Sequence, residues 1–546
     1  MNRHAAILDC TLRDGAYLLD KNFGENVILG ITNGLKKARV EYIEIGFLQS
    51  EGSAPGKTVY QNAAQARLFV PKCKNGTIFT VLADYSRYDI RLLDEYSGDS
   101  FDAVRACFFK NERHDVIEFC KIIKARGYKL FVQPVDILGY EDDEIIDLMK
   151  NIAEVEPDCV SIVDTFGSMY EDDLMRVFYL INHNLPTECK IGFHSHNNMQ
   201  MSNALSQAFL RATSGLREVV VDGTLCGMGR GAGNAPTELI AQYMVSKLGY
   251  NYDIDAILDV IDTYMPGIKN RCSWGYTIPN FLAGSFSAHV NNVAYLTGKN
   301  CLDSKGMRYI LNRIGVDARK RYDYDLLERT YLEYQSSDID DAGYLDKLKK
   351  IFVGKNVVLL VPGSSIIDEE QSLFKVINGM HDAVVISVNF IPRKLPYDFS
   401  FFSNVNRFNF WRNDLKFKNK PVICTSNIEF CDDVNMMSVS YKRLIKCGWE
   451  NMENATILLL RLLDFLDIRS INIAGFDGYE YDFRTHRNYV QPNLELDDAY
   501  KNAAIVNREI TQMLEDYIST RRLQIPIRFV TKSRFSCVLK GDDTHG

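Results

Sequence analysis

The 546-residue chain lacks the features that mark several simple classes of protein. No apolar run approaches the ~20 residues that a membrane-spanning helix needs. No CxxC pair indicates a zinc or redox motif, and no block of Lys and Arg marks a nucleic-acid or anionic-membrane surface. The start, MNRHAAILDC, has no cleavable signal pattern. We therefore expect a cytoplasmic protein that binds neither nucleic acid nor membrane.

The composition is that of a soluble globular protein, with 46% hydrophobic and 25% charged residues and a net charge of −8. The thirteen cysteines are scattered, as in reduced cytosolic proteins. A chain of this length exceeds one ordinary hydrophobic core, so we expect two or three domains.

Short apolar, β-prone runs alternate with helical periodicity over the first half of the chain. Eight runs qualify, at 5–10, 42–47, 78–83, 103–109, 129–135, 159–164, 190–196 and 218–224. Alternating strands and helices require a parallel sheet, and eight repeats predict an α/β fold, a closed (β/α)8 TIM barrel over residues 1–265. An open doubly wound sheet is the alternative.

Two of the nine histidines stand one residue apart at the end of the seventh run, KIGFHSH. In a strand, the two-residue period places His194 and His196 on the same face. Such a pair consists either of metal ligands or of hydrogen-bonded polar side chains. A third ligand nearby would favour the metal.

The third ligand is expected from a neighbouring strand, because the first and eighth strands pair when a barrel closes. Chemistry in barrels sits just after the C-terminal ends of the strands. DCTLRDGAY after the first strand places Arg13, Asp14 and Tyr17 there, and DGTLCGMGRGAGNAP after the eighth carries Asn234. The aspartate can thus meet both histidines around one ion.

One aspartate and two histidines give mixed oxygen and nitrogen ligation, which suits Mn²⁺, Mg²⁺, Zn²⁺ or Fe²⁺ and leaves positions open for substrate. We expect Mn²⁺ or Mg²⁺, with Zn²⁺ as an alternative. The amide oxygen of Asn234 could supply a neutral fourth ligand. The competing interpretation is a polar rim without an ion.

Arg13 and Tyr17 are the candidate catalytic residues. A cation beside a divalent ion stabilises a developing enolate, although Arg13 could instead form an ordinary salt bridge to Asp14 or Glu44. Tyr17 could donate or accept a proton. A phenol with a pKa near 10 is a poor base unless the metal ion and Arg13 lower that pKa, and packing is the alternative role.

The segment GMGRGAGN does not fit a dinucleotide-binding fingerprint. The pattern GxGxxG fails at Ala232 when it starts at Gly227, and at Asn234 when it starts at Gly229. We expect these glycines to let the backbone turn sharply over the barrel mouth and approach a ligand closely.

The rest of the chain changes pattern. Residues 266–335 predict a helical appendage over the barrel mouth, residues 336–352 a linker, and residues 353–546 a smaller doubly wound, Rossmann-like α/β domain. Its strand candidates are 356–361, 383–388, 399–402, 421–424, 470–474 and 527–530. The turn LLVPGSSIID could hold a phosphate or be an ordinary βα turn.

Three motifs, in barrel order, resemble those of one family: TLRDG after the first strand, HSHNN after the seventh and GMGRGAGNAPTEL after the eighth. They are similar to the metal-dependent TIM-barrel lyases and Claisen-condensing enzymes that share the pyruvate carboxyltransferase domain. That group includes 3-hydroxy-3-methylglutaryl-CoA lyase, isopropylmalate and homocitrate synthases, and 4-hydroxy-2-oxovalerate aldolase. The AGNAPTE ending and VDTFGSM most resemble the aldolase branch, and the resemblance covers roughly residues 1–300.

The resemblance implies that Asp14, His194 and His196 bind the metal ion. It further implies that Arg13 holds the oxygen of a pyruvate-type enolate and that Asn234 is an additional ligand.

Two positions depart from the aldolase branch. That branch has a histidine base three residues after the metal aspartate, where this chain has Tyr17. It also has a tyrosine in the helix over the mouth, where the stretch AGSFSAH offers Phe286. The residues for metal binding and enolate formation are thus intact, while those for acid–base chemistry differ.

The resemblance implies a metal-dependent aldolase that joins or cleaves a pyruvate-type enolate and an aldehyde, so the expected partners are a small 2-oxo acid and an aldehyde. A Claisen-type condensation of an acyl-CoA with a 2-oxo acid is one alternative. A non-catalytic barrel that scaffolds the second domain is another. Short motifs in that domain faintly resemble sialyltransferase-type glycosyltransferases, which would imply a nucleotide-sugar ligand. We also expect a homo-oligomer.

Overall fold

The computed structural model describes residues 4–299, 302–335, 339–432, 434–446, 448–449, 454–480, 489–490 and 503–539. It divides into two compact units. The first contains residues 1–294 and 315–322, and the second contains residues 295–314 and 323–546. No helix within the described ranges is long and apolar enough to span a membrane.

Eight parallel strands of the first unit close into a barrel. They are β1 (Ala5–Asp9), β2 (Tyr42–Leu48), β3 (Ile78–Asp84), β4 (Ala103–Phe108), β5 (Lys129–Pro134), β6 (Cys159–Asp164), β7 (Lys190–Ser195) and β8 (Val219–Gly223). β1 pairs with β8 from Ala5↔Val219 to Asp9↔Gly223, and on its other side with β2. A short extra strand, Val59–Tyr60, pairs only with β2. The predicted TIM barrel is confirmed, and the open-sheet alternative is excluded.

The eight strands form where the sequence predicted them, to within one residue at most ends, because both faces of each strand are buried. Their outward side chains pack under the surrounding helices, and their inward side chains fill the barrel. β7, for example, is buried from Ile191 to Ser195. Continuous apolar runs of this length are typical of parallel strands.

Helices and short helical turns connect the strands. The helices of the first unit are α1 (Thr11–Asp14), α2 (Glu25–Lys37), α3 (Ala63–Ala66), α4 (Val116–Ala125), α5 (Asp142–Ala153), α6 (Glu171–Asn184), α7 (Ser202–Ala212), α8 (Thr237–Leu248), α9 (Ile254–Lys269), α10 (Ile278–Ser285) and α13 (Val316–Lys320). α11 (Val290–Thr297) begins in the first unit, and its residues from Tyr295 onward belong to the second. The 3₁₀ turns are Gly15–Leu19, Arg67–Phe69, Ile90–Leu92, Lys110–Glu112, Ile137–Gly139 and Leu225–Gly227. The turns that directly follow barrel strands lie at the C-terminal rim of the barrel.

The expected helical appendage differs from its predicted form. It begins inside α9, which continues through Pro266 to Lys269. The apolar stretch expected as one helix is broken between α10 and α11, where Ser287 has a φ of 47°. Residues 315–322 belong to the barrel unit, whereas 295–314 and the chain from 323 onward belong to the second unit. The appendage is therefore shared between the two units.

The second unit is a doubly wound parallel sheet of seven strands. They are β9 (Asn356–Leu360), β10 (Ala383–Val388), β11 (Phe399–Phe402), β12 (Val422–Thr425), β13 (Met436–Val439), β14 (Ser470–Ala474) and β15 (Ile527–Phe529). Their spatial order is β13-β12-β11-β10-β9-β14-β15. The sequence predicted six of them and missed β13, a four-residue run. Strand order reverses beside β9, the position where such folds open a crevice.

Two separate hydrophobic clusters lie between the sheet of the second unit and its helices from α15 onward. The helices of this unit are α12 (Ser304–Arg313), α14 (Tyr324–Gln335), α15 (Ala342–Phe352), α16 (Ser365–Asp368), α17 (Glu370–Gly379), α18 (Val405–Lys418), α19 (Tyr441–Leu444), α20 (Ala455–Leu463), α21 (Ala503–Thr520) and α22 (Ser536–Leu539). The expected linker 336–352 ends in α15, whose Leu348 and Phe352 are fully buried in this unit. Residues 336–338 lie outside the described ranges.

The turn VPGSS after β9 already holds an anion from its own chain. The Asp477 carboxylate accepts hydrogen bonds from the Ser365 backbone N–H at 2.8 Å and from the Ser365 hydroxyl at 2.5 Å. A turn whose donors bind an internal carboxylate has little left for a phosphate. The structure therefore favours the ordinary βα turn.

Gly475, directly after β14, tests how tightly this turn is packed. Its φ is +76°, and a Cβ there would lie 1.9 Å from the Val361 carbonyl oxygen. Gly475→Ala should lower the free energy of unfolding of the second unit by more than about 2 kcal/mol, because strain and overlap add. Gly379→Ala is the matched control, because no atom lies within 4 Å of its Cβ position. Urea denaturation measures the free energy of unfolding of both variants. Equal values for the two would contradict the close packing of Gly475.

Candidate functional site

Asp14, His194 and His196 meet at the C-terminal rim of the barrel. One ligand atom from each lies within 4.8 Å of the other two. The two imidazole rings stand edge to face with centroids 5.1 Å apart, in keeping with the shared face predicted for alternate residues. Metal–ligand distances of about 2.0–2.2 Å would let one ion bridge this group after small side-chain shifts.

Asn234 provides a test of whether these residues fit an ion. Its amide nitrogen donates to Asp14 Oδ2 at 2.6 Å and to the Met228 carbonyl at 3.0 Å. Its Oδ1 is buried and has no hydrogen-bond partner among the described residues. A buried acceptor left in this way costs about 1–3 kcal/mol, and a cation beside Asp14 would satisfy it. The oxygen and nitrogen donors fit Mg²⁺, Mn²⁺ or Zn²⁺.

The protonation states also suit metal binding. Burial alone would raise the pKa of Asp14, but the Arg13 guanidinium and the two imidazoles outweigh it and hold that pKa well below its usual range. Burial lowers the pKa of His196 to about 3, against the opposing effect of Asp14. At neutral pH, Asp14 is therefore a carboxylate and His196 a neutral imidazole, the forms that bind metal ions.

A second group with metal-like spacing, Cys10, His194 and Asp222, has a different role. Burial raises the pKa of the Cys10 thiol well above its ordinary value, and Sγ donates to the Gly223 carbonyl at 3.4 Å. Asp222 Oδ2 accepts from His194 Nδ1 at 3.0 Å and also from Arg105. A carboxylate on Nδ1 fixes the imidazole and leaves Nε2 for a ligand. This group therefore orients His194.

A chain of buried ion pairs, which we call the interior ion chain, links the two ends of the metal cluster. Arg13 donates to Asp14 Oδ1 at 2.5 Å and to Glu44 Oε2 at 2.7 Å. Arg105 donates to the same Glu44 oxygen at 3.0 Å and to Asp222. Arg105 and Glu44 are completely buried. Arg13 thus forms salt bridges with both Asp14 and Glu44, and these contacts fix its guanidinium beside the predicted metal ligands.

The interior ion chain contains three carboxylates and two guanidinium groups, so arginine leaves one negative charge uncompensated. An uncompensated buried charge is costly, and a bound cation would relieve that cost. From the sequence, Glu44 was expected only as a possible partner of Arg13, and the roles of Arg105 and Asp222 were missed. The available signal was a single charged residue inside each of three apolar strands, since buried charges almost always have partners.

The Tyr17 side chain packs between a ring and a cation. Its ring meets Phe47 edge to face at 5.3 Å, and the Arg230 guanidinium lies 4.0 Å from its centroid. Burial raises the pKa of Tyr17, although Arg230 and Arg13 oppose the shift. Arg13 and Arg230 by themselves therefore do not lower the pKa of Tyr17 below its ordinary value. At neutral pH Tyr17 is a phenol that can donate a proton.

The glycine-rich loop, residues 225–236, passes directly beside the metal cluster. His196 and Asn234 form an isolated antiparallel bridge. A Cβ at Gly229 would lie 2.2 Å from Asn234 Nδ2 and 3.1 Å from Asp14 Oδ2, so only glycine allows this approach. The loop therefore holds Asn234 against the predicted ligands.

Phe286 and His289 lie in the break between α10 and α11, which we call the covering segment (286–290). A Cβ at Gly231 of the glycine-rich loop would lie 2.9 Å from Val290, so this segment adjoins the loop. His289 Nδ1 accepts from the Asn291 backbone N–H at 3.1 Å, which leaves the proton of the neutral ring on Nε2. Burial, aided by Arg230, lowers the pKa of His289 to about 4.

Removing a predicted ligand should remove the ion. We expect Asp14→Asn and His194→Ala to lose a stoichiometric divalent ion that the wild-type protein retains after loading with Mn²⁺ and desalting. The reason is that each change removes one of three charged or imidazole ligands. Elemental analysis by plasma mass spectrometry measures the metal content.

His183→Ala is the matched control, because His183 is exposed at the end of α6. It should retain the wild-type metal content. Asp222→Asn should retain the ion with affinity weakened about 10–100-fold, as for other carboxylates behind a ligating histidine. Wild-type protein without bound metal after loading would refute the site.

Comparison with known proteins finds similar sequences over the barrel. Residues 4–263 match the model of the HMGL-like family. The oxaloacetate decarboxylase of Mycobacterium tuberculosis is 28% identical over 274 residues, 49% of this chain and 78% of that protein. The 4-hydroxy-2-oxovalerate aldolase of Moorella thermoacetica is 27% identical over 320 residues, 57% of this chain and 92% of that protein.

Among solved structures, the HMG-CoA lyase from Brucella melitensis is 15% identical, with a TM-score of 0.40, and the match covers 49% of this chain and 99% of that one. The sequence relatives are a decarboxylase and an aldolase, which supports an enzyme at the level of the family. Residues 4–263, a little under half of the chain, therefore resemble the HMGL-like family, in agreement with the resemblance that the three sequence motifs indicated.

Proposed function

We propose that the barrel is a divalent-metal aldolase that makes or cleaves the bond between C3 of a pyruvate-type 2-oxo acid and the carbonyl carbon of an aldehyde. Asp14, His194, His196 and Asn234 would hold the ion. When bound there, a divalent ion supplies Lewis-acid polarisation of the keto group. The mixed oxygen and nitrogen donors support Mg²⁺ or Mn²⁺, with Zn²⁺ as the alternative.

This proposal rests mainly on the hydrogen bonding of the Arg13 guanidinium, which leaves one nitrogen unpaired. Nε and Nη1 are held by Glu44 and Asp14. Nη2 forms no hydrogen bond with a described residue, and it is not completely buried. A fixed guanidinium with one accessible nitrogen beside the metal ligands is suited to donate to an oxyanion that develops on the substrate.

Tyr17 is the proposed proton donor at the aldehyde oxygen. When the C3 carbon attacks the aldehyde, the carbonyl π electrons move to oxygen, and the new alkoxide takes the phenolic proton. The raised pKa keeps that proton in place beforehand, and Arg230 over the ring face stabilises the phenolate until it is reprotonated. His289 is the alternative, because its Nε2 also carries a proton.

Two other functions stay open to test. A Claisen-type condensation would use the same enolate chemistry but release free CoA, which a thiol reagent detects. A non-catalytic scaffold would show neither exchange nor turnover. The nucleotide-sugar ligand of the second unit, the homo-oligomer and the cytoplasmic location remain predictions.

The direct test is exchange of the pyruvate methyl protons in D₂O. Wild-type protein with Mg²⁺ should exchange them without any aldehyde, and EDTA should abolish the exchange. Proton NMR of the methyl signal measures the rate. If the metal-loaded protein does not exchange pyruvate, the donor is another 2-oxo acid or an acyl-CoA, and the aldolase proposal fails.

Arg13→Ala should abolish both methyl exchange and carbon–carbon bond turnover. We expect a loss of about 3 kcal/mol or more in transition-state stabilisation, as for other oxyanion donors. Because Arg13 also pairs with Asp14 and Glu44, metal content should be measured on the same sample. A variant that retains metal and still exchanges at the wild-type rate would contradict the role.

Tyr17→Phe should keep much of the exchange and lower turnover by about 10²–10⁴-fold, the usual effect of a lost general acid–base. The phenyl ring keeps the contacts with Phe47 and Arg230, so only the hydroxyl is tested. His289→Gln is the comparison variant. If Tyr17→Phe turns over normally and His289→Gln does not, the proton comes from His289.

A further inference from the structure

Arg230, in the glycine-rich loop, places its guanidinium at the barrel mouth, where it forms no ion pair with a described carboxylate. Its guanidinium lies on the Tyr17 ring, 4.0 Å from the centroid. Among the residues that the structure describes, none forms an ion pair or hydrogen bond with its side chain. The preceding residue, Gly229, places the backbone against the Asp14 carboxylate. The cation therefore adjoins the metal cluster and remains available to a ligand.

Arg319 is a second such cation at the covering segment. Its guanidinium lies 5.3 Å from the centroid of Phe286, and its carbonyl oxygen accepts from the His289 backbone N–H at 2.8 Å. Its Nε is buried and has no hydrogen-bond partner within the described ranges. Burial lowers the pKa of Arg319, and no carboxylate opposes that effect.

Lys320, the residue after Arg319, shows how a cation here is usually neutralised. Lys320 pairs with Asp136 at 2.6 Å. Arg230 and Arg319, by contrast, rest on aromatic faces, a position that holds a guanidinium in place without neutralising its charge. Each guanidinium therefore keeps its positive charge and its free N–H donors for an anionic ligand.

We propose that Arg230 and Arg319 bind an anionic group on the aldehyde partner, so that the enzyme acts on a carboxylate- or phosphate-bearing aldehyde. This inference rests on the proposed aldolase function. The site lies with the aldehyde because Arg230 is stacked on Tyr17, the donor assigned to the aldehyde oxygen. The 2-oxo acid is assigned to Arg13 and the metal ligands.

Guanidinium groups suit this task. Each presents planar N–H donors that match two oxygens of a carboxylate or phosphate, and such charge-assisted bonds are about twice as strong as neutral ones. Stacking also reduces the conformational entropy that the side chain loses when it binds. The two anion types share this chemistry, so the experiment has to separate them.

The test compares kcat/KM for matched aldehydes with pyruvate as the donor. The first pair is glyceraldehyde 3-phosphate and glyceraldehyde, and the second is succinic semialdehyde and pentanal. Wild-type protein should prefer the anionic member of at least one pair by about tenfold to a hundredfold, the range for hydrogen bonds to a charged group. The pair with the larger preference identifies phosphate or carboxylate.

Arg230→Gln and Arg319→Gln should each reduce that preference, and the double variant should bring the ratio close to one. The ratio is the readout, because Arg230 also supports Tyr17 and its loss lowers turnover of both aldehydes. Arg211→Gln is the control, since Arg211 is exposed on α7 and its loss changes net charge equally. It should leave the ratio unchanged.

Binding without turnover separates this inference from the proposed function. Glycerol 3-phosphate and 4-hydroxybutyrate lack the reactive carbonyl, and calorimetric titration should show that at least one binds wild-type protein more tightly than the double variant. The inference would be overturned if wild-type protein and the double variant bound each of these ligands equally well. It would also be overturned if the two proteins had equal kcat/KM ratios, even where pyruvate exchange succeeds. An Arg230→Gln effect confined to the KM of pyruvate would also overturn it, by assigning the guanidinium to the 2-oxo acid.

Discussion

The site depends on the buried ion pair between Arg13 and Glu44. Glu44 also binds Arg105, so one carboxylate fixes two guanidinium groups inside the barrel. From these two cations the contacts extend in opposite directions, to Asp14 and, through Asp222, to His194. The positions of two predicted metal ligands therefore depend on a carboxylate that binds no metal itself.

Barrel closure makes this arrangement possible. The chain of contacts joins residues on the first, second, fourth, seventh and eighth strands or directly after them, and no local segment could bring them together. In water these ion pairs would contribute little, whereas inside a barrel each charge carries a desolvation cost that its partners must offset. Five charged side chains in an apolar interior are stable only as a connected group. Loss of one partner would leave its neighbour buried and uncompensated.

The sequence was informative where the physical pattern is local. Strands buried on both faces produce continuous apolar runs, so all eight barrel strands were predicted, as was the clustering of Asp14, His194 and His196 at one rim. Patterns that depend on tertiary contacts were missed. Arg105 resembles an isolated charge in a strand until its partners on other strands are known. β13 was missed although it is as long as β11 and β12, which were predicted. The break at 286–289 was missed because apolar periodicity continues through it, whereas the left-handed Ser287 interrupts the helix.

The two ends of the site have opposite net charge. In the interior, carboxylates outnumber guanidinium groups, and every arginine has an acidic partner. At the mouth, Arg230 and Arg319 are held by aromatic rings, and neither forms an ion pair with a described carboxylate, although Arg230 is close enough to Asp14 to help lower the pKa of that carboxyl. An excess of negative charge attracts a cation, and an excess of positive charge attracts an anion. A ligand that bridges the two ends would therefore meet a divalent ion at one end and guanidinium groups at the other, and this gradient would orient it before any bond forms.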